Sequence, residues 1–138
     1  MTIVLVMLLA FLVSVSLTTP LHRWGDASTY YMQIQSIAND FDVKYEPKDL
    51  QRAFENRFGD IPAGIFLVKN ERGDYFYGKE YSYALFASPF FKIFGNNGIL
   101  LFNALMFFFM IYMGFQYLKS RNSQRDSILF SALYFFLS

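Results

Sequence analysis

No cysteine occurs in the chain, which excludes a disulfide framework and a thiolate metal site and leaves the redox compartment unreadable. Charge is scarce too: 17% of residues are charged and the formal balance is +1, so nothing in the composition points to a nucleic-acid partner. Every acidic residue but Asp126, and every basic one but Lys119, Arg121 and Arg125, falls between residues 21 and 97. What is abundant is apolar: 54% of the 138 residues are hydrophobic and 21% aromatic, with 18 Phe and 10 Tyr. These residues are gathered in runs rather than spread at short periods, which marks a membrane protein rather than a soluble domain of this size.

The first run, Thr2 to Leu17, is uncharged and continuous, and about 17 residues is the lower limit for crossing a hydrocarbon core of about 30 Å. Residues 2–20 are therefore read as a first transmembrane helix. A cleaved signal peptide competes, since Ser14-Val15-Ser16 loosely resembles a small-x-small cleavage site, but no basic residue precedes the run. Pro20 stops the helix, and Arg23 with Trp24 suits a membrane interface.

Residues 21–97 form one long polar loop that can fold as an extramembrane layer. It opens on HRWGDASTYYMQIQSIAND, where Asp26 stands just outside the membrane segment and Tyr30, Ile34 and Ile37/Ala38 recur at helical spacing. The spacing predicts a helix along the membrane surface with Asp26 at its N-terminal end. Pro47 opens a second short helix through about Phe58, with Leu50, Ala53, Phe54 and Phe58 on one face. A β-hairpin follows, with an apolar strand at Ile65 to Val68, a turn carrying Gly73 and an aromatic strand at Tyr75 to Tyr77. In YALFASPFFKIFG, Pro89 and Lys92 interrupt the apolar run, which predicts an interfacial or re-entrant segment.

Residues 98–118 are long enough for a second span, with Asn103 inside it expected to face another helix. The connection 119–126 carries Lys119, Arg121 and Arg125 against Asp126, and basic residues in short loops mark the cytoplasmic side. Residues 127–138 begin a third apolar run that stops at about half a span, so a fragment of a larger protein is expected. The fold class is then a membrane, mainly α protein: transmembrane helices with a long extracytoplasmic loop of surface helices and a small β-hairpin. The implied location is the cytoplasmic (inner) membrane, multi-pass, with the N-terminus inside and residues 21–97 outside.

The order of these features, with GDASTYYMQIQSIAND after one span and YFYGKEYSYALFASPFFKIFGNNGILLFNAL before the next, resembles the GT-C glycosyltransferases. The closer likeness is to the bacterial branch related to the protein O-mannosyltransferases and the lipid A aminoarabinose transferase, and it covers the N-terminal part of such an enzyme. The resemblance implies inverting transfer of a hexosyl or pentosyl group from a polyprenyl-phosphate donor to a glycan, lipid or protein acceptor at the outer membrane face. Inversion in one step needs an acceptor hydroxyl that loses its proton as it attacks, so a carboxylate near the membrane surface serves as general base. In the family that carboxylate opens the first outer loop, which matches Asp26. Many relatives carry an adjacent acidic pair; here Asp26 is followed by Ala27. The resemblance implies a lipid-linked sugar as substrate rather than a resident cofactor. Later helices that hold the lipid carrier close such a site, so 138 residues alone are not expected to catalyse.

Each candidate residue has a plainer reading. Asp26 also suits a helix N-cap, and the two roles can coexist. His22 lies four residues before it, but two ligands are too few for a divalent metal. Tyr30 and Tyr31 are candidates to stack on a sugar, although interfacial tyrosines commonly form an aromatic belt. Arg23, Lys79 and Glu80 are candidates to meet a phosphate or a sugar hydroxyl, against the plain reading of solvated loop charges at a lipid surface. Asp40, Asp42, Asp60, Glu71 and Asp74 sit in turn-like contexts and read as structural. Two other functions compete with the transferase: a small non-enzymatic membrane protein or inactive fragment, and a transporter fragment, which would place ionisable residues inside its spans.

Overall fold

The structure, a computed structural model, describes residues 2–20, 26–55 and 64–137. It is mainly helical with a small three-stranded sheet, and it divides into two compact units, residues 19–99 and residues 1–18 with 100–138.

The unit 19–99 is built around α2 (Asp26–Asp40), followed by β1 (Lys44–Tyr45), α3 (Pro47–Glu55), β2 (Leu67–Lys69), β3 (Tyr75–Tyr77) and α4 (Tyr81–Phe94). The sequence predicts α2 as a surface helix. The structure instead packs it against α3 and α4 and buries Ser28, Thr29 and all of 31–38. Enclosure is tolerated because its polar side chains find partners inside the unit, as buried polar groups must. Ser36 Oγ donates to Asp42 Oδ1 at 2.9 Å. Gln35 Nε2 donates to the Tyr31 hydroxyl at 2.9 Å, and that hydroxyl donates to Asn96 Oδ1 at 2.6 Å.

The C-terminal end of α2 is held by cations, which suits its exposed carbonyls. Arg52 of α3 donates to the Gln35 carbonyl at 3.2 Å and pairs with Asp40 at 2.7 Å. Lys92 of α4 donates to Asn39 Oδ1 at 3.1 Å. The helix then closes on Phe41, whose N–H bonds to the Ile37 carbonyl at 3.2 Å with φ +60°. That left-handed cap is ordinarily glycine's place.

Pro47 opens α3 at its first helical position, as its missing N–H and fixed φ favour. One turn on, Asp49 Oδ2 accepts the Glu46 N–H at 2.8 Å, the reach-back half of a capping box. Ala53 is fully buried, whereas Phe54 is exposed; Phe58, predicted on the same face, lies outside the described residues.

The hairpin forms, with two differences. β1 joins the free edge of β3, giving the antiparallel order β1-β3-β2 with Lys44 opposite Phe76 and Leu67 opposite Tyr77. Two residues are too few for a period-2 pattern, so this third strand has no sequence signature. The first hairpin strand also starts two residues later than predicted. The backbone at 64–66 is taken up by Thr29, which donates to the Gly64 carbonyl at 3.1 Å and accepts the Phe66 N–H at 2.9 Å. The turn is an Asx turn: Asn70 Oδ1 accepts from the Arg72 and Asp74 N–H groups, and Gly73 takes φ +90°.

Pro89, which interrupts the apolar run, lies inside α4, and the helix runs unbroken through it. Proline lacks the N–H that would have bonded to the Leu85 carbonyl, and Ser88 Oγ donates to that carbonyl instead at 2.9 Å. A single residue, Gly95, separates α4 from α5 (Asn96–Lys119). Gly98 in the first turn of α5 lies against α4: a Cβ there would overlap the Phe90 carbonyl oxygen.

The second unit holds α1 (Thr2–Thr18), residues 100–119 of α5 and α6 (Gln124–Leu137). Among the described residues α5 is the one helix that is both long and apolar enough to cross a membrane, with 24 residues and an 18-residue stretch of mean hydropathy 2.0; α1 is apolar over Ile3–Thr18 but shorter. Ser16 is buried and donates to Leu12 O at 2.7 Å and to Leu100 O at 3.4 Å, tying α1 to α5. Asn103, expected to face another helix, is exposed within this chain. Ser123 caps α6: its Oγ accepts the Asp126 N–H at 3.2 Å and donates to the Asp126 carboxylate at 2.7 Å.

Candidate functional site

Asp26, Thr29 and Gln33 follow one another at i, i+3 and i+7, so they line one face of α2. The chain that covers this face is the segment 64–66 and the turn between β3 and α4. Thr29 fixes Gly64 and Phe66, as described above. Gln33 is 1% exposed, and its Nε2 donates to the Lys79 carbonyl at 3.3 Å. Its Oε1 accepts no hydrogen bond. With its backbone held in this way, Lys79 directs Nζ to 3.0 Å from Asp26 Oδ2, and the ammonium lies 6.0 Å from the centre of the Phe66 ring.

The Asp26 side chain is 75% exposed and that of Lys79 26%. The pair is therefore open to solvent on its acidic side, and its net worth to stability is at most about 1 kcal/mol. Its arrangement matters more chemically. A carboxylate that can take a proton and an ammonium that can meet a phosphate stand together at the N-terminal end of a rigid helix, where the helix dipole favours negative charge.

The other candidates separate. Tyr30 is half-buried, and its ring meets Tyr83 edge-on with centroids 5.3 Å apart, so part of its surface remains available beside the pair. Tyr31, one residue on, points a different way: it is 1% exposed and meets Phe91 edge-on at 6.0 Å. Its hydroxyl is occupied by Asn96 and Gln35, which removes it from any surface belt. Glu80 is exposed and caps α4 by position, without a hydrogen bond from its side chain. Arg23 and His22 lie outside the described residues. No group of three or more His, Asp or Glu among the described residues could hold a metal ion.

A second charged cluster surrounds α3. Lys48 reaches Glu46 at 2.8 Å and Asp40 and Asp42 at 3.7 Å, and Lys44 pairs with Asp74 at 3.0 Å. Hydrogen bonding and attraction from Lys44 hold the Asp74 carboxyl below its ordinary range, and Lys48 does the same to Glu46. Asp49 is different, with its side chain 2% exposed. Burial raises its carboxyl above the ordinary value, against the Glu46 N–H bond and the Arg52 guanidinium 3.6 Å from Oδ1. Burial, and then the Asp49 charge, push the Tyr77 phenol up as well, and its hydroxyl makes no hydrogen bond. These groups fasten α3 and the sheet to α2.

Sequence reasoning singled out Asp26 and Lys79 separately and missed Thr29, Gln33 and Phe66, which bring them together. The i, i+3, i+7 spacing from Asp26 was the available signal for the first two. Compared with known proteins, the chain matches no family model, no curated protein and no solved structure.

Proposed function

We propose that this chain carries the acceptor-side carboxylate of an integral-membrane glycosyltransferase that works at the extracytoplasmic face. In this reading α1 and α5 cross the membrane, the unit 19–99 lies outside, and the turn between α5 and α6 lies inside, as its basic residues suggest. The reaction moves a sugar from a polyprenyl-phosphate donor to a hydroxyl acceptor. The acceptor oxygen forms a bond to the anomeric carbon from the face opposite the phosphate, the carbon–phosphate-oxygen bond breaks, and polyprenyl phosphate leaves with the electron pair. Asp26 takes the acceptor's proton, and Lys79 pairs with the donor phosphate before and during transfer.

The observation that supports this reading is the 3.0 Å pairing of an exposed carboxylate on α2 with an ammonium from the turn before α4. The sequence resemblance points to the same carboxylate. The test is sugar transfer in vesicles loaded with polyprenyl-phosphate sugar, with the protein expressed from its own gene. Asp26→Asn should lower the rate by about 10²–10⁴-fold, the span of a lost general base, while the protein remains folded and membrane-bound. Full activity in Asp26→Asn would remove the catalytic assignment.

A further inference from the structure

Between α5 and α6 lies an apolar groove of about 320 Å³, lined by Met110, Gly114 and Tyr117 on one side and Phe130, Ser131 and Tyr134 on the other. Gly114 faces open space there, since a Cβ at that position would meet nothing within 4 Å. The end away from the connecting turn is closed by Tyr134, whose hydroxyl lies 3.6 Å from Met110 Sδ. The end at the turn is cationic. Tyr117 lines the groove, and the Arg121 guanidinium sits 5.5 Å from the centre of its ring. Lys119 ends α5 and Arg125 lies in the first turn of α6, where the one acid, Asp126, is engaged by the Ser123 cap.

Ser131 Oγ is buried and has no hydrogen-bond partner, although a serine inside a helix can bond back to the carbonyl four residues before it. An apolar bed with a cation at its mouth fits an amphiphile with an acyl chain and an anionic head. Basic pockets between helices on the cytoplasmic side recognise anionic headgroups in this way.

We infer that the groove between α5 and α6 seats an anionic phospholipid of the cytoplasmic leaflet, its acyl chain over Gly114 and its phosphate on Arg121. The inference rests on the reading that α5 crosses a bilayer with the turn inside. The charge of the rim selects against a zwitterionic lipid, and the length of the apolar bed selects against free phosphate.

The test has two stages, so that failure of the inference and failure of the membrane reading are distinguishable. Flotation of the whole chain with phosphatidylcholine vesicles, resistant to alkaline extraction, is required by the membrane reading; a chain that does not float overturns both. Native mass spectrometry from detergent micelles with equimolar phosphatidylglycerol and phosphatidylcholine then reads the site. Retained phosphatidylglycerol should exceed phosphatidylcholine by about fivefold for each basic side chain engaged. The preference should fall by that factor in Arg121→Gln and survive in Arg121→Lys. Added inorganic phosphate should leave it unchanged, and displacement by phosphate would show a simple anion site and overturn the inference. Gly114→Leu fills the groove and should reduce retention of both lipids. If Gly114→Leu leaves retention intact but abolishes cross-linking between copies of the chain, the groove seats a helix and the lipid assignment is wrong.

Discussion

Lys79 Nζ stands 3.0 Å from Asp26 Oδ2, joining the turn before α4 to the first turn of α2. The carboxylate remains largely exposed while the backbone of its partner is held by the buried Gln33. An ammonium on a held backbone beside an accessible carboxylate lets the proposed roles of the two residues be tested separately.

That separation is measurable as kinetics. Asp26→Asn should act on kcat, because a general base contributes only as the acceptor loses its proton. Lys79→Met, which in the proposed reaction removes a charge that meets the donor phosphate in both ground and transition states, should raise KM for the lipid-linked donor more than it lowers kcat. Steady-state transfer assays on both variants check this, and equal losses of kcat in the two would contradict the division of roles.

Thr29 bonds the backbone on both sides of Ile65 while itself fully buried. Thr29→Val keeps the shape and strands those backbone groups, which should cost about 1–3 kcal/mol. Amide hydrogen exchange should show Phe66 losing protection while the turn between α5 and α6 does not change. Unaltered exchange at Phe66 would mean that another group holds this segment.

The two glycines of α5 should respond in opposite directions. Gly98→Ala drives a methyl into the Phe90 carbonyl, an overpacking that costs about 1–3 kcal/mol. Gly114→Ala meets nothing, and the gain in helix propensity should stabilise by up to about 1 kcal/mol. Thermal unfolding in detergent compares them, and a Gly98→Ala protein as stable as wild type would show that α4 and α5 can separate there without cost.

Phe41 is 90% exposed at φ +60°, a left-handed position that costs an ordinary residue about 1–2 kcal/mol. Phe41→Asn, which tolerates that conformation, should raise stability by about 1 kcal/mol. If chemical denaturation shows instead a loss, the ring makes a contact that offsets its strain.

Asp49 supplies a pH dependence of defined sign. Its carboxyl is raised in the fold above the ordinary 3.8, so the folded state favours the protonated form. Its contribution to stability is complete below 3.8 and is lost as pH rises through the raised value. Asp74 and Glu46, lowered by Lys44 and Lys48, act in reverse and lose their contribution as pH falls through their folded values. Asp49→Asn keeps an oxygen for the Glu46 N–H without a charge to desolvate. Its stability relative to wild type should therefore rise with pH across the Asp49 window, and parallel pH profiles would contradict the burial argument. Asp49→Ala loses the cap as well and should cost about 1 kcal/mol.

Some of this architecture is legible locally. The apolar runs of α1 and α5, the start of α3 at Pro47 and the turn at Gly73 follow from run length, fixed φ and left-handed backbone, each a property of a few adjacent residues. The start of α2 at Asp26 follows from the spacing behind it. The unbroken course of α4 was hidden, because proline's penalty is visible in sequence and the Ser88 bond that compensates it is not.

What the sequence alone determined was therefore which segments are apolar, where helices and the hairpin turn begin, and that Asp26 opens a helix. The tertiary structure decided that Tyr31 faces inward onto Asn96 while Tyr30 stays half-exposed, that β1 completes a sheet, and that Lys79 rather than Glu80 meets Asp26. Local propensities act over a turn or two of chain. Partners such as residues 26 and 79 are chosen only when burial of α2 forces its polar side chains to find donors and acceptors on the segments packed around it.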